Sequence, residues 1–128
     1  MAKIKISELS IGDWVVLENL TFKVIGINPP YVDLLGNGNR LRLSDIDNDN
    51  LSPIRLTPEI LEKNRFRLVV VNKNFNDWHD NNITIRKYYN EDNYHLFVCG
   101  QKVAFKMLFI HQLQHALRLA GVGKEIEV

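Results

Sequence analysis

Ile6-Ser7-Glu8-Leu9 and Gly12-Asp13-Trp14-Val15-Val16, answered later by Leu41-Arg42-Leu43-Ser44-Asp45-Ile46, decide the reading of this chain. Short apolar runs are cut by turn residues at close intervals, the pattern of a small β unit. In residues 13–18, Trp14 and Val16 share one face of a strand and Val15 and Leu17 the other, because strand side chains alternate. Trp14 is expected in the core. Residues 21–27 form the next strand, and Asn28-Pro29-Pro30 stops it, since proline offers no ladder donor. Residues 31–35 follow. Gly36-Asn37-Gly38-Asn39 is the strongest hairpin signal in the chain, because Asn and Gly accept positive φ. Residues 40–43 return with Leu41 and Leu43 inward, 44–50 turn, and 51–56 close the sheet. Five short strands predict an SH3-like half-open barrel over residues 1–56.

Residues 57–128 are expected to form an α+β subdomain, the two parts making one compact unit. Thr57-Pro58-Glu59 starts a short helix: the hydroxyl caps free amides, proline suits the first helical position, and Glu59 complements the dipole. Asn64 ends it as a residue that tolerates a left-handed cap. An antiparallel β-meander follows. Residues 65–71 alternate with Phe66, Leu68 and Val70 on one side. Residues 73–82, rich in Asn and Asp, read as a long hairpin loop carrying Phe75 and Trp78. Residues 83–89, 94–99 and 102–105 supply the remaining strands. The C-terminal amphipathic helix spans 108–120. Phe109, Ile110, Leu113, Ala116, Leu117 and Ala120 lie on its apolar stripe, and His111, Gln114, His115 and Arg118 opposite. Gly121 ends it, and 124–128 read as a final alternating strand. The fold class is α+β.

With 45% hydrophobic residues the chain of 128 is expected to fold rather than stay disordered. Its 16 basic and 15 acidic side chains leave +1, which removes the broad positive field of a non-specific nucleic-acid binder. Cys99 is the sole cysteine, so no intrachain disulfide forms. The opening Met1-Ala2-Lys3-Ile4-Lys5-Ile6 lacks the apolar core of a signal peptide, and no run is long enough to cross a bilayer. A cytoplasmic protein is expected, with no membrane partner.

No motif carries a reaction. His111 and His115 stand four apart on a helix, the spacing by which two imidazoles share a metal. A zinc protease of the His-Glu-x-x-His type needs a general base at position 112, where this chain has Gln112. The pair is a weak metal candidate, and a partner-binding face made of Leu108, His111, His115, Arg118 and Leu119 outranks it. Trp78 joins that face as an exposed loop aromatic; a Trp that packs its loop onto the sheet is at least as good a reading. His79 and Asp80 beside it form a candidate acid–base pair. Arg86-Lys87-Tyr88-Tyr89, with Arg65, Arg67, Lys102 and Lys106, offers a modest nucleic-acid surface, diluted by Asp77, Asp80, Glu91 and Asp92. Asp45, Asp47 and Asp49 imitate the start of a calcium loop, but Leu56 stands where the bidentate glutamate belongs. Cys99 is expected to be a buried, inert thiol. No cofactor is expected.

The segments Ile6-Ser7-Glu8-Leu9-Ser10-Ile11-Gly12-Asp13-Trp14-Val15, Leu56-Thr57-Pro58-Glu59-Ile60-Leu61-Glu62-Lys63-Asn64 and Ile110-His111-Gln112-Leu113-Gln114-His115-Ala116-Leu117, with the tail 121–128, resemble small uncharacterised proteins of gut-type anaerobic bacteria and their phages or prophages. The resemblance implies a bacterial, cytoplasmic setting and imports no activity. The leading expectation is a non-enzymatic binding module that contacts another protein. Nucleic-acid binding comes second, and a metal-dependent hydrolase using the histidines third.

Overall fold

Trp14–Leu17 (β1) and Leu20–Asn28 (β2) form a hairpin across Glu18 and Asn19, both at positive φ, 48° and 67°. Successive residues of that kind match the right-handed twist of the strands they join. In the computed structural model, residues 3–36, 38 and 40–128 are described, Phe105 by its backbone alone. Two of the four residues in the expected turn at 36–39, Asn37 and Asn39, lie outside the described residues. The architecture is α+β and largely antiparallel, with the chain dividing into units Met1–Ile54 and Arg55–Val128.

In the first unit, Tyr31–Gly36 (β3), Leu41–Asp47 (β4) and Ser52–Pro53 (β5) complete an open sheet of order β4-β3-β2-β1-β5. The last strand is only two residues long, where 51–56 was expected; Val15 pairs with Pro53 and Val16 with Ser52. Ile4, Leu9, Val15, Phe22, Val24, Val32, Leu34 and Leu51 make the core. Gly36 lies so close to the Phe22 ring that a Cβ there would fall 2.6 Å from it. Trp14 is not a core residue. Val15 takes that place, and Trp14 is half-buried beneath the Lys23 ammonium, 5.1 Å from its ring centroid. Leu41, expected inward, is exposed.

The second unit begins with Pro58–Lys63 (α1), capped by the Thr57 hydroxyl, which accepts from the Ile60 N–H at 3.3 Å. Asn64 keeps a right-handed backbone, and Arg65, at φ 71°, takes the left-handed position instead. Arg67–Val71 (β6), Phe75–Asp80 (β7), Ile83–Tyr88 (β8), Tyr94–Val98 (β9) and Gln101–Met107 (β10) form a meander of order β10-β9-β8-β7-β6. Residues 73–82 are therefore no long loop: most of them are β7, hydrogen-bonded on both sides. Asn72 turns the chain into it, its side-chain oxygen accepting from the N–H groups of Asn74 and Phe75 at 2.8 and 2.9 Å. Cys99 is exposed rather than buried. It sits with Gly100 in the turn between β9 and β10, both at positive φ, 52° and 79°.

Ile110–Leu119 (α2) follows β10. Gln112 closes its N-terminus, its side-chain oxygen accepting from the Leu108 and Phe109 N–H groups at 2.7 and 3.0 Å. The buried face holds Ile110, His111, Leu113, Gln114 and Leu117, so two residues expected in water are inside. The tail 124–128 explains Gln114. It is not a strand; its backbone is held by side chains. Gln114 donates to the Lys124 carbonyl at 3.0 Å and accepts from the Ile126 N–H at 2.7 Å. Asn64 does the same for Glu127, each bond 2.8 Å. Ile126 is thereby buried.

Candidate functional site

Three surfaces of the second unit carry chemistry. The first lies between β10 and α2. Val103 and Met107 from the strand and Ala116, Leu119 and Ala120 from the helix line a groove of 460 Å³, with Lys106 and His115 in its wall. The short alanines leave room, and Leu119 is 90% exposed, with none of the described side chains covering it. A bare aliphatic side chain continuous with an apolar groove makes the kind of patch that marks an interaction site.

The second is a polar row across the sheet. Asp77 pairs in register with Arg86, and Arg86 with His95, so the three stand side by side on β7, β8 and β9. Arg86 Nε and Nη2 donate to the two Asp77 carboxylate oxygens at 2.7 and 3.0 Å. The guanidinium carbon lies 3.8 Å from the Phe75 ring centroid and 5.0 Å from that of Phe97. The Asp77 hydrogen bond holds the guanidinium above even its ordinary high pKa, with partial burial opposing it. His95 Nε2 meets the Glu91 carboxylate. Its ring stands edge-on to Tyr88 at 5.3 Å, and its buried Nδ1 has no hydrogen-bond partner among the described residues. The adjacent row, Trp78, Ile85, Leu96 and Ala104, is apolar.

The third is a polar basin of 880 Å³ at the start of β6, with Arg65, Arg67, Leu68 and His79 in its wall. Arg67 and His79 are cross-strand neighbours. Asp80, expected to pair with His79, instead binds Lys124 at 2.8 Å.

The structure scatters the residues singled out from sequence. Trp78 is 2% exposed, packed in β7 against Tyr94 at 6.0 Å, and is no loop aromatic. His111 is 2% exposed, stacked on Phe109 and edge-on to His115 at 5.8 Å. Both leave the list of surface residues. Leu108 is half-buried, its carbonyl accepting from Leu56 N–H at 2.9 Å. Arg118 pairs with Glu125 at 3.1 Å. Of the expected partner-binding face, His115 and Leu119 reach the groove, joined by Lys106 from the expected nucleic-acid set. In the nucleic-acid set, Arg86 is engaged by Asp77 and Lys87 donates to the Tyr88 carbonyl at 3.4 Å. Tyr89 is exposed, its hydroxyl donating to Asn76 at 2.6 Å. Of the calcium-like run, Asp45 and Asp47 lie in β4 and Asp49 in the 3-10 turn after it, where Asp47 accepts from the Asp49 N–H at 2.9 Å. Among the described residues no group of three His, Cys, Asp or Glu side chains could hold a metal.

Sequence reasoning missed Val103, and it named Arg65, Arg67 and His79 without bringing them together in one basin. The available signals were the β-branched residue beside Lys102 and the spacing Arg65-x-Arg67, which puts both cations on one side of an extended chain. Comparison with protein-family models, curated proteins and solved structures finds no match.

Proposed function

We propose that the protein is a non-enzymatic binding module that engages another protein through the groove between β10 and α2. The single observation that carries this reading is Leu119, almost wholly exposed beside an apolar groove. No helix of the described residues is long and apolar enough to cross a membrane, and we place the module in a bacterial cytoplasm, in a phage or prophage context, on the resemblance described above. The first unit is proposed to be an SH3-like half-open barrel serving as a second recognition platform. What supports this is β5 returning to pair with β1 after the 3-10 turn Asn48–Asn50. A hydrolase reading has little support, because Gln112 is engaged in capping α2 and His111 lies inside.

The test is affinity capture from the host with wild type and Leu119→Glu, each with and without nuclease. A protein retained through nuclease treatment and lost with Leu119→Glu supports the reading. Retention by both variants overturns it. Nuclease-sensitive capture favours the second reading, single-stranded nucleic acid. For that the observation is a pocket of 450 Å³ holding Phe75, Tyr88, Tyr89 and Lys73, where bases have rings to stack on.

A further inference from the structure

Among the described residues β6 is an edge strand, paired with β7 on one side only. Its sequence is Arg67-Leu68-Val69-Val70-Val71. Leu68 is 43% exposed, Val69 52% and Val71 66%. A row of unpaired backbone groups flanked by bare aliphatic side chains is a template for one more strand. Proteins normally blunt such an edge; here the bulge between Leu68 and Val70 and the exposed Arg67 at its start do so, and Leu68, Val69 and Val71 stay bare.

Charge says what kind of strand fits. From Arg65 to Asn76 the chain carries Arg65, Arg67 and Lys73 and no acidic residue. Arg65 and Arg67 open onto the 880 Å³ basin at one end of β6, and Lys73 is exposed just beyond the other. Of the two acids in the basin wall, Asp80 is already bound to Lys124, leaving Glu62 as the local counter-charge. Neither Arg65 nor Arg67 has an ion-pair partner among the described residues. A second copy of this chain would bring an identical cationic strand, so pairing β6 with itself sets like charges together, which is unfavourable. A segment bounded by carboxylates has the complementary pattern.

We infer that the β6 edge and the Arg65–Arg67 basin bind an extended, aliphatic segment of a partner protein that carries an acidic side chain at its end. The partner strand adds to the sheet by backbone hydrogen bonds, and its carboxylate enters the basin. This rests on the protein-binding reading but uses a different surface from the α2 groove. Loss of the groove by Leu119→Glu leaves it untouched, and its own failure leaves the groove reading standing.

The experiment is selection of displayed random peptides of about eight residues, a usual strand length, on the intact chain. The Arg65→Ala/Arg67→Ala double variant serves for counter-selection; both positions are exposed, so the fold survives. The expected result is enrichment of aliphatic, β-branched runs ending in Asp or Glu. By fluorescence anisotropy at about 150 mM salt, an enriched peptide binds the double variant about tenfold more weakly. A proline in the middle of its run abolishes binding. No enrichment over the double variant, or enriched peptides indifferent to their acidic residue, overturns the inference. So does a concentration-dependent dimer in sedimentation that Val71→Lys dissolves, because the edge then belongs to a second copy.

Discussion

Arg86 grips both carboxylate oxygens of Asp77, at 2.7 and 3.0 Å, from the neighbouring strand, while its planar face rests on Phe75. The carboxylate is almost wholly buried and the guanidinium about three-quarters so. Removing the cation strands a buried anion, whereas replacing both partners with apolar residues does not. Arg86→Ala is expected to cost about 2–4 kcal/mol in urea unfolding. Asp77→Leu with Arg86→Met should recover more than half of that. An unchanged midpoint for Arg86→Ala would show that the pair contributes nothing.

The two tryptophans should separate sharply. Trp78→Ala removes a fully buried ring from the apolar row and is expected to cost about 3–5 kcal/mol. Trp14→Ala removes a half-buried ring and its contact with Lys23, and about 1–2 kcal/mol is expected. Thermal and urea unfolding of the pair measures both. Equal losses would contradict their different burial.

How far these outcomes were readable from sequence depends on how one-sided each segment is. Thr57-Pro58 announced α1 because a cap is a local event. The first three strands of the first unit were readable from their turns; residues 44–47, read as turn, instead extend β4, and β5 is only two residues long. The inward face of β1 was not, since Trp14-Val15-Val16-Leu17 is apolar on both sides and alternation alone leaves its parity open. β7 was hidden because Asn72, Asn74, Asn76, Asp77 and Asp80 are poor strand formers; pairing on both sides overrides propensity there. Gln114 looked solvated because helix periodicity cannot anticipate a tail that hydrogen-bonds back onto the helix, and His111 because its stacking on Phe109 is not visible in the pattern. Of the candidate site, Leu119 and His115 were found, while Val103 was not, because the pattern of a strand does not show that the helix after it packs alongside and leaves a groove.

Gln112 should matter as a cap. Gln112→Ala frees two N–H groups at the start of α2 and is expected to cost about 1–2 kcal/mol. Gln112→Glu keeps the acceptor and adds a charge the helix dipole favours, so its stability should equal or exceed the wild type. A Glu variant as unstable as the Ala variant would show that the bond is unimportant.

Alkaline pH should loosen the second unit through Tyr94. Burial first, then the negative charge of Glu59, raises the phenol's pKa above its ordinary value, with Arg55 opposing. The folded state therefore favours the neutral form. That stabilisation is fully present below the unfolded pKa of about 10 and is lost as pH rises through the folded value. The urea midpoint should fall above about pH 10, and Tyr94→Phe should flatten the decline. An equally steep decline in the Phe variant assigns it to other groups.

The two-residue turn Cys99-Gly100 also has a practical use. A lone thiol in solvent, at the tip of the hairpin that ends in β10, is a unique attachment point for a maleimide dye. A fluorophore can be placed there without mutagenesis, at the far end of the strand that forms one wall of the groove. The same thiol will link two molecules in a non-reducing buffer, so any dimer seen by sedimentation must first be shown to survive a reductant.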